Sequence, residues 1–372
     1  MDYGHLFKVM QKINSSKKLT LQIIATCMHL SPEFGLTFRE IENDGFKINK
    51  KVECLLSSDT PSAVAKSVGI ACISFADAYS DLKPDLVLIM GDRYELLAAA
   101  ETALLMKIPI AHISGGDTTE GAYDEAIRHS ITKMSHFHFV TNNDAFERVR
   151  QLGENPKNIF NVGSPTIDYI IDTPLISKAE LEKKLNFKLK KINILFTYHP
   201  VTLNPKRNRD DLLIVLDALS SLGDEFGILI TKSNADDGGR ILNEEIDKFV
   251  LQNDNSKAFD ALGQFLYYNC IHNFDCVVGN SSSGLFEVPT FKKPTVNIGQ
   301  RQKGRLRPKT VIDCDINKIE IINAIKKSLN LNCQNFANPY GDGKSSDKIV
   351  SILEKIDIRN LSLQKHFYSY KN

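Results

Sequence analysis

Residues suited to phosphate and proton chemistry gather at the ends of apolar runs in this chain. Gly279-Asn280-Ser281-Ser282-Ser283-Gly284-Leu285-Phe286-Glu287 follows the run Cys276-Val277-Val278. Small residues there let a backbone approach a phosphate, and hydroxyls with helix N-terminal N–H groups bind it. Ser281, Ser282, Ser283 and Gly284 are therefore candidates for a nucleotide seat, with Glu287 placed to accept from ribose hydroxyls. The same stretch reads equally as a polar strand-to-helix loop with three N-cap candidates. Ile298-Gly299-Gln300-Arg301-Gln302-Lys303-Gly304-Arg305 ends another apolar run. Its three cations suit a diphosphate, with Arg301 and Arg305 the candidates, against a plainer reading as a solvated basic loop.

Carboxylates occupy corresponding places earlier in the chain. Asp92 follows Leu86–Met90 in Gly91-Asp92-Arg93, and Asp117 ends Ala111-His112-Ile113-Ser114-Gly115-Gly116-Asp117. Asp124 opens Asp124-Glu125-Ala126-Ile127-Arg128-His129. Singly, Asp92 and Asp124 read as helix caps, and Asp124–Arg128 as an i, i+4 pair. Arg93 in a helix's first turn opposes the helix dipole, which implies a partner or a ligand. Coming from neighbouring strand ends, the three aspartates could share one cleft. They would then raise one another's pKa, as general acid/base groups require. His199 in Tyr198-His199-Pro200 ends a further run and would face them, and the Thr231–Arg240 loop adds Asn234 as a binding candidate or a polar cap.

The elements that must position these residues are short apolar runs. They are Leu21–Ala25, Leu86–Met90, Ile108–Ile113, Phe137–Val140, Ile192–Phe196, Gly227–Thr231, Cys276–Val278 and Thr295–Ile298. Such runs suit strands buried on both faces of a parallel sheet. Helical patterns such as Tyr94–Met106, Asp124–Ser135, Asn142–Leu152, Asp210–Ser221 and Arg240–Gln252 alternate with them, which predicts α/β units. The expected division is residues 1–172, then 173–356 beginning with a Lys/Glu-rich helical linker, then a tail 357–372 packing back on the first domain. Ligands of such sheets bind at the carboxyl ends of strands.

Composition excludes several classes. The 372 residues suit two domains, and 46 basic against 45 acidic residues give no bias toward nucleic acid or membrane. No run reaches the length that spans a bilayer. Seven scattered cysteines without a CxxC pair argue against a disulfide framework or a zinc site, and for a reducing cytoplasm. GxGxxG, Walker, HExxH and GxSxG motifs are absent.

In this order the motifs Gly91-Asp92-Arg93, Gly115-Gly116-Asp117, Asp124–His129, His199-Pro200-Val201-Thr202, Gly279–Gly284 and Arg301–Arg305 resemble the hydrolysing UDP-N-acetylglucosamine 2-epimerases. The similarity runs from Asp2-Tyr3-Gly4 to the Asn338–Lys344 turn. It implies a GT-B-like fold of two Rossmann-like domains with an interdomain cleft, the nucleotide held mainly by the second. It implies loss of UDP through 2-acetamidoglucal, then addition of water to give the free 2-epimeric sugar, in nonulosonic acid biosynthesis. No cofactor or metal is implied, and a homodimer or homotetramer is expected. Asp92, Asp117 and Asp124 match the family's catalytic carboxylates and His199 its catalytic histidine. Ser281, Ser282 and Glu287 match the nucleotide seat, and Arg301 and Arg305 the basic loop.

Two departures accompany the resemblance. Position 117 is usually Glu in that family. The family also opens with a central strand and a Thr-Gly-x-Arg-Ala-(Glu/Asp)-Tyr-Gly turn, of which only Asp2-Tyr3-Gly4 is found here. The first strand of the first domain is thus expected to be missing, with poor folding and weak turnover as the consequence. Within the family pattern the expected substrate is UDP-N-acetylglucosamine, giving N-acetylmannosamine, with UDP-2,4-diacetamido-2,4,6-trideoxyglucose as the alternative. Outside it stand a glycosyltransferase of the same fold and a non-catalytic nucleotide-sugar binder.

Overall fold

A computed structural model describes residues 2–58, 60–119, 123–201, 207–233 and 239–369. The chain divides into two units, one of Met1–Thr118, Tyr123–Tyr169 and Tyr340–Asn372, the other of Thr119–Ala122 and Ile170–Pro339. Each is an α/β unit of parallel strands, which is the class the alternating pattern predicts.

In the first unit β3 (Val87–Met90), β4 (Ile110–Ile113), β5 (Phe137–Val140) and β6 (Ile159–Asn161) form one parallel sheet in sequence order. β1 (Ile24–Thr26) and β2 (Lys50–Val52) pair separately, with Ala25 opposite Lys51. Among the described residues no strand joins β1 to β3, and the helix Asp2–Ser15 precedes β1. Alternation along the strands sends Ile89 and Ile110 to one face, against Ala71 and Phe75 of the helix Pro61–Leu82 and the alanines of Tyr94–Leu105. Ala111, Ile113, Phe137 and Phe139 go to the other, against Val9 and Ile13 of the first helix and Ile349 and Leu353 of the helix Ser345–Leu353. Two-sided burial is why β3, β4 and β5 are mainly apolar, with His112 and His138 the exceptions.

The helix Ser345–Leu353 belongs to this unit and not to the second, where a boundary at residue 356 places it. The reason is a cap from a distant segment. Asp168, in the helix Pro165–Ile171, accepts from the Ser345 and Ser346 N–H groups at 3.1 and 2.6 Å. A carboxylate there satisfies two donors that lack intrahelical partners and complements the dipole.

The second unit is one six-stranded parallel sheet: β7 (Ile192–Thr197), β8 (Phe226–Thr231), β9 (Ser256–Phe259), β10 (Cys276–Gly279), β11 (Thr295–Ile298) and β12 (Val311–Cys314). Their spatial order is β12-β11-β10-β7-β8-β9, so the order reverses between β7 and β10. That switch point is where ligands of open α/β sheets sit. Ile194, Phe196, Ile228, Ile230, Val278 and Val296 pack against the helices Asn208–Ser220, Gly239–Gln252 and Lys318–Leu329. The Lys/Glu-rich region forms the helix Lys178–Leu185, opened by a capping box of Ser177 and Glu180. No described helix is long and apolar enough to cross a membrane.

Candidate active site

In the first unit, β3 ends at Gly91 (φ +89°), and the helix Tyr94–Leu105 starts two residues beyond Asp92. Arg93, not Asp92, occupies the N-cap, without a side-chain cap. The capping explanation of Asp92 therefore fails. Its carboxylate instead forms a short ion pair with Arg128. Arg93 has the partner its position requires, since its Nε donates to Glu95 Oε1 at 2.7 Å and its head reaches Met28 Sδ at 3.5 Å.

The main chain of this turn is tied to β4 by His112. A carbonyl can only accept, so His112 Nε2–H donates to Gly91 O at 2.8 Å, and Nδ1 accepts from the Thr132 hydroxyl at 3.1 Å. Burial pushes this imidazole down to about 3, so the ring is neutral.

β4 turns through Ser114 (φ +65°), Gly115 and Gly116 (φ +79°) to Asp117. A Cβ on Gly115 would lie 2.8 Å from Thr132 Oγ1, and one on Gly116 would strike the Ala145 carbonyl. The double glycine is a packing requirement as well as a turn. Asp117 Oδ1 accepts from Thr141 Oγ1 at 2.7 Å and Asn142 Nδ2 at 3.3 Å, while Asn142 also caps the helix Asn143–Gln151.

Asp124 is the first residue of the helix Asp124–Met134, whose N-cap is Tyr123. One turn on, Arg128 is buried and donates to the Asp117 carbonyl at 2.7 Å and Glu125 Oε2 at 2.8 Å. Glu125 Oε1 in turn meets His129 Nε2 at 3.0 Å. Of the three aspartates, Asp92 thus meets the buried cation with its carboxylate and Asp117 with its main-chain carbonyl.

In the second unit, β10 ends at Gly279 (φ +137°), opposite Thr197 of β7. Asn280, 1% exposed, stitches three turns together. Its side chain accepts from His199 N at 2.7 Å and donates to His199 O at 2.8 Å. Its own carbonyl accepts from Gln302 Nε2 at 2.8 Å and from Arg301 at 3.2 Å. His199 and Arg301 are thereby held against the Ser-rich turn, and Arg305 lies over the Phe286 ring, 5.4 Å from its centroid.

The turn itself is modest as a helix: Ser283–Phe286 is one turn, with Ser282 at its N-cap. A single turn carries little dipole, and the cations beside it are Arg301 and Arg305. Gly284 packs beneath Thr295, which donates to its carbonyl at 2.8 Å. Tyr267 donates to Ser283 Oγ at 2.8 Å, and Tyr268 to Glu287 Oε1 at 3.1 Å. Asn234 lies outside the described residues.

A family model for UDP-N-acetylglucosamine 2-epimerase matches residues 11–354. The chain belongs to that family. A relative from Campylobacter jejuni, named GDP/UDP-N,N'-diacetylbacillosamine 2-epimerase (hydrolyzing), is 46% identical over 310 residues, covering 83% of this chain and 80% of that protein. UDP-N,N'-diacetylbacillosamine 2-epimerase (hydrolyzing) of Legionella pneumophila is 32% identical over 98% of this chain and 96% of its own. Polysialic acid biosynthesis protein P7 of Escherichia coli is 34% identical over 99% and 94%. Among solved structures, UDP-GlcNAc 2-epimerase from Neisseria meningitidis bound to UDP-GlcNAc superposes with a TM-score of 0.82 at 18% identity, over 95% of this chain and 97% of that one. That likeness establishes the shared GT-B-like fold.

The residues that sequence reasoning left without a role are those that hold the others: His112, Thr132, Thr141, Asn142, Glu125, Arg128 and Asn280. A signal existed for four of them, since Glu125 shares the Asp124–His129 motif and His112 lies in the Ala111–Asp117 stretch. Asn280 lies inside the Ser-rich turn, and Arg128 inside the Asp124–His129 motif.

Proposed function

We propose that this chain is a hydrolysing 2-epimerase acting on a nucleoside diphosphate-linked 2-acetamido sugar, with the N,N'-diacetylbacillosamine sugar (2,4-diacetamido-2,4,6-trideoxyglucose) as its substrate. The observation that carries the choice of sugar is the 46% identity to the Campylobacter jejuni relative of that name. This reverses the order of the two substrates expected from the family resemblance, whose motifs address the nucleotide and C2 and leave C4 and C6 unspecified.

In the proposed reaction a first-unit carboxylate, from among Asp92, Asp117 and Asp124, takes the C2 proton as the C1–O bond to the diphosphate breaks. The electron pair of the C2–H bond becomes the C1–C2 double bond, and the nucleoside diphosphate leaves with the electrons of the C1–O bond. Charge growing on the leaving diphosphate is met by Arg301 and Arg305, and preorganised donors of this kind act where charge develops. Ser281, Ser282, Ser283, Gly284 and Glu287 seat the nucleotide, and Arg93 is a further binding candidate. Water then adds its oxygen to C1, while a proton reaches C2 from the opposite face, with His199 as the second proton carrier.

The test is proton NMR in deuterated water with UDP- and GDP-linked N,N'-diacetylbacillosamine and with UDP-N-acetylglucosamine. The proposal expects nucleoside diphosphate and a free 2-epimer deuterated at C2, fastest from the N,N'-diacetylbacillosamine sugar. Faster turnover of UDP-N-acetylglucosamine would return the assignment to that sugar. Release of unlabelled sugar would make the chain a simple hydrolase. Nucleotide binding without turnover, insensitive to Asp92→Asn, would make it a binder.

A further inference from the structure

We propose that Arg128 is the positioning residue of the first unit's acidic cluster, one guanidinium that fixes the Asp92 carboxylate and the Asp117 main chain in register. The inference rests on the proposed function, because it concerns the groups assigned there to proton transfer. Arg128 acts by holding these groups and moves no proton itself.

The argument begins with burial. The Arg128 side chain is 5% exposed, so its charge is removed from water and must be answered by protein acceptors. The acceptors come from three segments. One is Asp92 beyond β3, the second is the Asp117 carbonyl beyond β4, and the third is Glu125 on Arg128's own helix. One terminal nitrogen serves Asp92, and the other serves both Asp117 O and Glu125.

A planar fork can address two directions at a fixed angle, whereas an ammonium radiates its donors from one point. Glu125 is itself anchored by His129, so the fork is braced from behind. Asp117's carboxylate is aimed by Thr141 and Asn142, but where its Cα stands depends on the carbonyl that Arg128 grips. The guanidinium makes these bonds below the surface, at 5% exposure. Its effect passes through the aspartates.

The experiment compares wild type, Arg128→Lys, Arg128→Ala and the double variant Arg128→Lys/Asp92→Asn, measuring nucleoside diphosphate release. Wild type is assayed first for the C2-deuterated product; its absence there defeats the functional reading alone and not this one. Arg128→Lys keeps the buried charge and so keeps the fold, checked by near-UV circular dichroism. It is expected to lose about 100-fold in kcat, with KM changed by less than about threefold, as for a misplaced catalytic group. Added guanidinium ion should restore part of the turnover of Arg128→Ala. In the Asp92→Asn background, Arg128→Lys should cost clearly less than the roughly 100-fold it costs alone, because part of its action passes through Asp92. Wild-type kcat in Arg128→Lys would overturn the proposal. So would a rise in KM alone, losses that multiply in the double variant, or a loss of activity that follows thermal stability and does not respond to guanidinium.

Discussion

Gly279→Ala should damage the second unit far more than an alanine at another left-handed glycine of the same unit. A Cβ on Gly279 would stand 1.8 Å from the Thr197 carbonyl oxygen, where ordinary contact begins at 3.4 Å. The overlap is about 1.6 Å of backbone against backbone, which no rotamer change relieves. Relief means parting β10 from β7. That would break the Asn280 N–H to Thr197 O bond at 3.1 Å and disturb the Gly279–Thr197 pairing.

Two buried hydrogen bonds at about 1 kcal/mol each, with about 1–3 kcal/mol of backbone strain, give a loss of about 3–5 kcal/mol. Gly223 is the control. Its φ is +92°, but a Cβ there meets nothing within 4 Å. Gly223→Ala therefore carries only the conformational penalty, about 1–2 kcal/mol. Urea unfolding followed by far-UV circular dichroism separates the two, because at an m of about 2–3 kcal/mol/M the Gly279 variant's midpoint falls by more than about 1 M. Equal midpoints for the two variants would show that β10 does not approach β7 as described.

Other outcomes follow from the same physics. Asn280→Ala removes two bonds to the His199 main chain and should lower kcat more than it raises KM, with stability falling by about 2–3 kcal/mol; an unchanged kcat would mean that His199 is held by something else. Burial lowers His112 to about 3, below its unfolded value, so its contribution is intact above about pH 6.5 and is lost as pH falls toward 3. His112→Gln should therefore flatten the pH dependence of stability in that window by up to about 1.4 kcal/mol per pH unit, measured as urea midpoints against pH. Burial alone would push Glu154 up, but hydrogen bonds from His138, Lys133 and Lys365 outweigh it and hold the carboxyl at about 2. Its stabilisation is present above about pH 4.5 and disappears toward pH 2, so Glu154→Gln should lose less stability than wild type across that interval. Parallel acid titrations of the two proteins would refute this.

The sequence made the interior strands and the apolar edge strand β3 legible, and hid four other edge strands. β4, β5, β7, β10 and β11 are mainly apolar because both faces are covered, with His112, His138, Asn193 and Asn297 buried among them. β2, β6, β9 and β12 each end a sheet, and their sequences Lys50-Lys51-Val52, Ile159-Phe160-Asn161, Ser256–Phe259 and Val311–Cys314 mix polarity because one side meets solvent. The aspartates were legible as strand-end chemistry, but their partner was not. Arg128 reads as an ordinary i, i+4 helix cation until the turns beyond β3 and β4 are brought to it. Asp168 was unreadable as the cap of Ser345–Leu353, because nothing local in the sequence links residues so far apart.

The docking of Ser345–Leu353 on the first unit has a consequence for how the chain is made. A ribosome emits the first unit's early segments, then the entire second unit, and only then the helix that covers Ala111, Ile113, Phe137 and Phe139. At roughly 5–20 residues per second, that apolar face waits on the order of ten seconds or more for its cover. The second unit, continuous from Ile170 to Pro339 apart from the Thr119–Ala122 segment, can condense during the interval. Vectorial synthesis thus lets the later-encoded unit mature first, while that apolar face of the first unit lacks this part of its cover until Ser345–Leu353 emerges.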